Sequence, residues 1–349
     1  MKSPIDDTLR QMLQAKLEAL EQYLHADVFV YYGSLAPVSA NMFAKLVEDL
    51  KADAVKNDKL YVILTTLGGS AEIVERYVNI LRYHYSEINF IVPDYAYSAG
   101  TIFCMSGDRI FMDYISVLGP IDPQVPNKDN KYVAALGYLD KINEFIDKAS
   151  KGTLTKAELI WLKELDLGEI RSFEQARDLT TDLLTKWLAN YKFKNWTKHH
   201  DGSEVTSNEK ELRAIEIAKN LSDNKKWKSH GKGISIAELN ALKLKIEDYS
   251  KDADLRPLIR EYYNAMDEFV RMKKCKLVYP KQSVFINMDE SIKLEELFRT
   301  YPSSDTDDSI VTFWEDFDAY LKEMKISQTK KQLIMNKEDA KPCMLNINS

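Results

Sequence analysis

Three short motifs in the first half of the sequence contain residue types that suit nucleophilic chemistry at a carbonyl group. They are Gly-Gly-Ser at 68–70, Tyr-Ser-Ala-Gly-Thr at 97–101 and Leu-Gly-Pro-Ile-Asp-Pro-Gln at 118–124. Glycines and small residues leave backbone N–H groups able to point at an oxygen, and a helix that follows adds the positive end of its dipole. The motifs therefore supply amide donors, a hydroxyl and a carboxylate.

Ser98 is the candidate nucleophile of the second motif. Ala99 and Gly100 are small enough for a substrate backbone to lie close to the hydroxyl, and the Ala99 N–H can face a developing oxyanion. A serine at the start of a helix is also its usual N-cap, so an ordinary cap is the alternative interpretation of this position. A serine nucleophile needs a base beside it, and that base must come from elsewhere in the chain.

Asp122 is the candidate carboxylate of the third motif. It lies between Pro120 and Pro123, and two prolines this close make a stiff, extended loop that holds a carboxylate in place. A turn that contains an aspartate explains the same residues, just as a tight turn explains the glycines at 68–70. Each motif by itself therefore leaves both interpretations open.

The elements around these motifs alternate between strands and helices. Apolar and β-branched runs predict strands near 28–32, 59–66, 88–92 and 109–112, with helices near 7–24, 40–55 and 71–81. Ser70 is the predicted N-cap of the last of these helices. Such alternation predicts right-handed crossovers and an α/β fold with a mainly parallel sheet, which would bind ligands at its carboxyl edge.

The second half of the sequence is predicted to be mainly helical. Helical periodicity and dense charge occur at 131–149, 155–166, 169–191, 207–221, 235–248 and 255–273, and then a hairpin is predicted at 276–278 and 283–287 before a helix near 311–324. We therefore predict an α/β core over 1–130, a helical elaboration over 131–325 and a disordered polar tail over 326–349.

Composition excludes several classes of function. The formal net charge of −6 argues against generic electrostatic binding of nucleic acid or anionic membranes. Three widely spaced cysteines without a CxxC or a Cys/His cluster indicate neither a zinc site nor a disulfide framework. No apolar run reaches the length of about 18 residues that a membrane span needs. We expect a soluble, cytoplasmic protein that uses no metal and no cofactor.

The motifs at 68–70, 97–101 and 118–124, taken together in this order, resemble the Clp-type and signal-peptide-peptidase serine protease superfamily. Within that superfamily the sequence is most similar to the serine dehydrogenase proteinase family. Residues 221–234, which contain Trp227 and a Ser-His-Gly sequence, resemble a further signature of the same family. The resemblance implies a ClpP/crotonase-like fold for the α/β core, and it extends from about residue 10 to residue 275.

The resemblance also implies an activity and a set of backbone donors. It implies a serine peptidase that acts on peptides or unfolded proteins, with Ser98 as its nucleophile. The oxyanion hole would consist of the backbone N–H groups of Gly69, or Gly68, and Ala99. Many enzymes of this superfamily assemble into rings, so a homo-oligomer is expected.

The base is less clearly indicated than the nucleophile. No histidine lies between Ser98 and His199, so the chain order Ser-His-Asp is excluded. The family is described with the order Ser-Asp-His, and triad logic permits this because geometry matters and chain order does not. That order makes Asp122 the orienting carboxylate and His230 the base. His230 in a helix C-cap followed by glycine is the alternative interpretation.

Three other hypotheses stay open. A Ser-Lys dyad would use Lys141, on the helix predicted over 131–149, as a buried lysine base. A scaffold protein would keep the fold but would have lost its base. Acyl-CoA chemistry is a minor third possibility, because the crotonase fold also uses paired backbone N–H groups as an oxyanion hole.

Overall fold

The computed structural model describes residues 4–36, 40–52, 57–126, 132–273, 277–278 and 283–286. The strands are β1 (Asp27–Gly33), β2 (Lys59–Thr65), β3 (Glu87–Val92), β4 (Tyr95–Ala96), β5 (Arg109–Met112), β6 (Val117–Leu118), β7 (Gln124–Pro126), β8 (Tyr132–Ala134), β9 (Glu247–Asp248), β10 (Leu277–Val278) and β11 (Ser283–Ile286). The helices are α1 (Pro4–Leu24), α2 (Ala40–Ala52), α3 (Ala71–His84), α4 (Ala99–Met105), α5 (Ala135–Ser150), α6 (Lys156–Lys163), α7 (Leu167–Trp187), α8 (Ser207–Leu221), α9 (Asn224–Trp227), α10 (Ile236–Ala241) and α11 (Leu255–Lys273).

The longest apolar run of the first half forms the centre of the main sheet. This sheet has seven strands in the order β10-β11-β1-β2-β3-β5-β9, so that β2 has three strands on each side. All neighbours pair in parallel except β10 and β11. In β2 every residue after Lys59 is buried, as expected for a strand that helices cover on both faces. The predicted α/β fold with a mainly parallel sheet is confirmed.

Helices cover both faces of the sheet because successive strand side chains point to opposite sides. Val62 of β2 belongs to the cluster on one face, which also contains Phe43 of α2 and Phe103 of α4. Ile63, the next residue, belongs to the cluster on the other face, which contains Tyr262 of α11. The helix α4, which follows Ser98, is thus anchored in the larger of the two cores.

The segment 235–248, predicted as one helix, is a short helix followed by a strand. The helix α10 ends at Ala241 because Lys243 adopts a left-handed conformation, with φ of 60°. The N–H groups of Lys243 and Leu244 return to the carbonyls of Asn240 and Leu239, which is the Schellman pattern of helix termination. The chain then reaches the sheet, where β9 pairs in parallel with β5. The helical prediction was therefore wrong for the second part of this segment.

The predicted hairpin also contributes to the main sheet. β10 and β11 pair antiparallel, as predicted, and β11 continues in parallel pairing with β1. Strands from the second half of the chain thus form both edges of the sheet. The division at residue 130 remains a prediction, and the helix near 311–324 and the tail over 326–349 lie outside the described residues.

Candidate active site

Short backbone pairings at the carboxyl edge of the sheet bring the three motifs together. Leu35 pairs with Gly69, Thr66 with Ala96, β4 with β6, and Leu118 with Ile234. The glycine loop, the segment before Ser98, the loop that leads to Asp122 and the segment of His230 are therefore successive neighbours. Open α/β sheets bind ligands at this edge, so the motifs lie where a ligand-binding site is expected in this fold.

Ser98 has a strained backbone and does not cap the helix that it precedes. Its φ is 52° and its ψ is −118°, in a region that non-glycine residues avoid. Residues held in such regions cost about 1–3 kcal/mol and occur preferentially at functional sites. Within the described part of the chain its hydroxyl makes no hydrogen bond, whereas the Ser70 hydroxyl accepts one from the Ile73 N–H at 3.2 Å. Ser70 is thus the ordinary cap that the sequence predicted, and Ser98 is not.

The glycine loop has one backbone amide without an acceptor among the described residues. The Gly68 N–H donates to the Thr66 hydroxyl at 3.0 Å, so this amide already has a partner. The Gly68 carbonyl and the Ser70 N–H both bond to Leu35, each at 2.9 Å. Because successive amides of an extended segment point to opposite sides, the N–H of Gly69 points away from Leu35. Among the residues that the structure describes, it meets no acceptor.

The glycine loop lies directly against Ser98. A Cβ built on Gly68, whose φ is 110°, would lie 2.9 Å from the Ser98 Cβ and 2.9 Å from the Tyr97 carbonyl oxygen. Only glycine fits so close to the serine. The N–H of Ala99, the first amide of α4, also has no acceptor among the described residues. Gly69 and Ala99 therefore each offer a backbone donor beside Ser98.

Asp122 is buried and held by the helix that follows it. Its side chain is 4% exposed, and its Oδ1 accepts a hydrogen bond from the Leu136 N–H of α5 at 3.2 Å. Burial raises the pKa of this carboxyl above its ordinary value, while the Leu136 hydrogen bond and the charge of His230 oppose the rise. Asp140 on α5 adds a smaller upward effect on the same pKa. Asp122 and His230 are therefore close enough to interact electrostatically.

His230 lies beyond the end of α9 and does not cap it. The left-handed residue that ends α9 is Lys228, with φ of 63°. The segment that follows is tied to the third motif, because Ile234 and Leu118 exchange backbone hydrogen bonds of 2.7 and 3.1 Å. The Nδ1 atom of His230 is buried and has no hydrogen-bond partner in the described structure. No hydrogen bond joins Ser98, Asp122 and His230 to one another within the described ranges.

Lys141 lies on the exposed side of α5. Its side chain is 51% exposed and forms an ion pair of 2.8 Å with Glu144, and its ammonium lies 5.0 Å from the centre of the Phe145 ring. A lysine base needs burial and freedom from a carboxylate partner. Lys141 has neither in this conformation.

Comparison with known proteins finds a family match for the central region of the chain. Residues 48–208 match the family model described as ClpP-like SDH-type serine proteinase. The resemblance is confirmed. The matched region contains Ser98, Asp122 and Lys141, and it ends before His230.

Two relatives come from Methanocaldococcus jannaschii. The uncharacterized protein MJ1495 is 32% identical over 160 residues, which are 46% of this chain and 52% of the relative. The uncharacterized protein MJ0137 is 34% identical over 106 residues, which are 30% of this chain and 36% of the relative. The chain thus spans about half the length of one and about a third of the other.

Three solved structures show partial similarity. A membrane-bound stomatin-specific protease in complex with a substrate peptide is 18% identical, with 34% of this chain and 57% of that chain covered and a TM-score of 0.28. That structure is of a mutant, and a second mutant of the same protease is 10% identical, with 76% of this chain and 99% of that chain covered and a TM-score of 0.38. ClpP1 from Listeria monocytogenes is 11% identical, with 70% and 99% covered and a TM-score of 0.39.

Two threonines support the three motifs, and the sequence analysis gave neither of them a role. The Thr66 hydroxyl accepts the hydrogen bond of the Gly68 N–H, as described above. The buried Thr101 hydroxyl lies 2.8 Å from the Ala96 carbonyl oxygen and 2.9 Å from that of Gly119, and it accepts from the Gly119 N–H at 3.0 Å. Thr101 thereby joins the second motif to the third. Thr101 belongs to the second motif, and this was the sequence signal that could have identified it. Its contact with Gly119 of the third motif could not be inferred from that signal.

Two further findings concern metals and membranes. Among the described residues, no three His, Cys, Asp or Glu side chains are grouped so that they could hold a metal ion. None of the helices in the described ranges combines the length and apolar character that crossing a membrane requires.

Replacement of Gly69 by alanine is expected to lower kcat about 100- to 1000-fold, the effect of losing one oxyanion donor. The φ of Gly69 is 152°, and an added Cβ would overlap the Leu35 backbone, so the loop and its N–H must move. Gly202→Ala is the matched control, because its φ is 86° with open space around it, in a turn far along the chain. Steady-state kinetics with a peptide substrate checks this, and equal activity of both variants would remove Gly69 from the oxyanion hole.

Proposed function

We propose that this protein is a serine peptidase that cleaves peptides or unfolded proteins through Ser98. The observation that carries the proposal is the strained, uncapped Ser98, whose hydroxyl has no partner in the described structure and lies beside two unoccupied amides. A serine that served as a helix cap would form a hydrogen bond through its hydroxyl. A serine in an ordinary turn would have no need of a strained backbone conformation. The match of residues 48–208 to a serine proteinase family supports the same conclusion.

The proposed reaction follows from these groups. The Ser98 Oγ attacks the scissile carbonyl carbon, and His230 takes the hydroxyl proton. The N–H groups of Gly69 and Ala99 stabilise the negative oxygen of the tetrahedral intermediate. The intermediate then expels the amine, which receives the proton from His230, and water releases the acyl group from Ser98 by the same steps.

Asp122 is proposed to orient His230 and to stabilise the imidazolium that forms. Its carboxylate lies close enough for the charge of His230 to lower its pKa, and the His230 Nδ1 is a buried atom that lacks a partner within the described residues. Within the described residues the side chains of Ser98, Asp122 and His230 are not hydrogen-bonded to one another. Catalytic hydrogen bonds are often long before substrate binds, so the open geometry is compatible with the triad.

The experiment that tests this function is a digestion of an unfolded protein. Reduced, carboxymethylated protein is incubated with the enzyme in the presence of EDTA, and new N-termini are identified by mass spectrometry. We expect cleavage of the unfolded protein, unchanged by EDTA. Absence of new N-termini would favour the scaffold hypothesis.

Two further measurements test the other proposals. Light scattering on the same sample measures whether the protein is a homo-oligomer, and fractionation of the source cells tests the proposed cytoplasmic location.

Asp122→Asn is expected to lower kcat about 10⁴-fold, as in other triads that lose the orienting carboxylate. Its effect on stability depends on pH. Because burial raises the pKa of Asp122, the folded protein binds this proton more tightly than the unfolded chain, and wild-type stability falls as pH rises through the folded pKa. The asparagine of the variant does not titrate, so the variant does not lose stability in this way. Its unfolding free energy minus that of the wild type should therefore be more positive at pH 7 than near pH 4. Urea unfolding at both pH values checks this, and a difference of opposite sign would contradict it.

A further inference from the structure

The helix α5 begins without a capping side chain of its own. Its N-cap position is Ala134, which has no side-chain acceptor, so the free N–H groups of the first turn need other partners. The Leu136 N–H donates to Asp122, as described above. The next amide, that of Gly137, lies 2.9 Å from the side-chain amide of Asn224, and we assign the Asn224 oxygen to this position because only that orientation gives both ends of the amide a partner. Two residues from distant parts of the sequence thus cap α5 together.

Asn224 also contacts Asp122 directly. With its side-chain oxygen facing Gly137, its Nδ2 donates to the Asp122 Oδ2 at 3.1 Å. Each oxygen of the carboxylate therefore has one donor, the Leu136 N–H on Oδ1 and the Asn224 amide on Oδ2. Two directional hydrogen bonds fix the plane of a carboxylate, and they leave its remaining lone pairs in fixed directions.

Asn224 belongs to the same short segment as His230. It is the first residue of α9, and its backbone carbonyl accepts the Lys228 N–H that ends this helix at 2.8 Å. The Asn224 side chain therefore connects three parts of the site, namely the loop of Asp122, the start of α5 and the segment that carries His230.

We infer that Asn224 is a positioning residue that holds the Asp122 carboxylate in the orientation in which it can receive the His230 ring N–H. The inference rests on the proposed function, and it gives a role to a residue to which the sequence analysis assigned none. Charged groups act on this carboxylate from two sides, His230 from its own segment and Asp140 from α5. Asn224 is neutral, so it supplies a donor without competing for the charge of Asp122.

Two substitutions separate positioning from helix capping. Asn224→Ala removes both hydrogen bonds, and it is expected to lower kcat about 10- to 100-fold, the effect of losing a hydrogen bond to a charged group, with KM unchanged. Its acid limb of kcat/KM should move to higher pH, because a carboxylate that loses a donor has a higher pKa. Asn224→Asp keeps an acceptor for Gly137 but places a second carboxylate against Asp122, so its acid limb should move further.

Asn220→Ala is the matched control. Asn220 lies at the end of α8, and its side chain contacts the Glu216 carbonyl and the Lys226 ammonium, both at 2.9 Å, instead of Asp122. We expect this variant to keep the wild-type pH profile. A residue that only caps α5 would lower the melting temperature in Asn224→Ala without moving the acid limb, and that result would overturn the inference.

Failure of the inference can be distinguished from failure of the proposed function. If the wild type cleaves peptides and Asn224→Ala has the wild-type kcat and pH profile, Asn224 is not a positioning residue and the peptidase assignment stands. If the wild type cleaves nothing, the proposed function fails. In that case the titration of the Asp122 carboxyl, followed by ¹³C NMR in wild type and Asn224→Ala, still gives a result. A carboxyl pKa that is the same in both proteins would overturn the contact on which the inference depends.

Discussion

Ser98→Ala is expected to abolish peptidase activity, with kcat about 10⁶-fold below that of the wild type. The variant keeps the backbone and the donors of Gly69 and Ala99 but has no atom that can form the acyl bond. Ser98 makes no side-chain hydrogen bond within the described residues, so the melting temperature should stay close to the wild-type value. Single-turnover kinetics with a peptide substrate, together with thermal unfolding, measures both quantities. Wild-type cleavage by this variant would remove Ser98 from the mechanism.

Ser98→Gly extends the same prediction to stability. Glycine adopts a φ of 52° without steric cost, so this variant should be more stable than the wild type by about 1 kcal/mol while remaining inactive. Ser70→Ala is the contrasting variant, because the Ser70 hydroxyl caps α3 and its loss should cost about 1 kcal/mol. Urea unfolding compares the two. A Ser98→Gly protein less stable than the wild type would indicate that the serine serves the fold.

His230→Ala is expected to lower kcat/KM by about 10⁴- to 10⁶-fold, because a serine without its base is a poor nucleophile. Lys141→Ala should retain wild-type kinetics, since Lys141 is exposed and paired with Glu144. Measuring kcat/KM for both variants on one peptide substrate compares the triad with the dyad. The melting temperatures of both variants serve as the control for folding.

The reverse outcome would support the dyad. If His230→Ala keeps the wild-type kcat/KM and Lys141→Ala loses it, Lys141 is the base, and activity should then rise toward alkaline pH. If neither variant changes the rate, both assignments of the base are wrong.

The first-half elements could be predicted because their signals are local. The apolar run of β2 and the cap of α3 by Ser70 depend on residues next to each other in sequence, and both are found where the sequence placed them. The strand β9 has no such signal. It is two residues long, and only its pairing with β5 makes it a strand, so local periodicity could not find it. The hairpin of β10 and β11 was predicted, but its pairing with β1 depends on tertiary contacts that the sequence does not show.

The candidate site shows the same division. The spacing of small residues pointed to Ser98, Gly69 and Ala99, because the need for close approach is visible in the residue types. The sequence could not show that Thr66 occupies the Gly68 amide. The contact between Asn224 and Asp122 was equally hidden, because it depends on how α9 packs against the start of α5. Polar partners distant in sequence become evident only once the fold brings them together.

The measurement that tests the central claim most directly is the reaction of the native protein with a fluorophosphonate probe. An activated serine displaces fluoride and forms a phosphonate ester, which peptide mass spectrometry locates on a single residue. We predict one adduct per chain, on Ser98, formed by the native protein and absent after unfolding. Absence of an adduct on Ser98 in a native protein that is fully folded would contradict its assignment as an activated nucleophile.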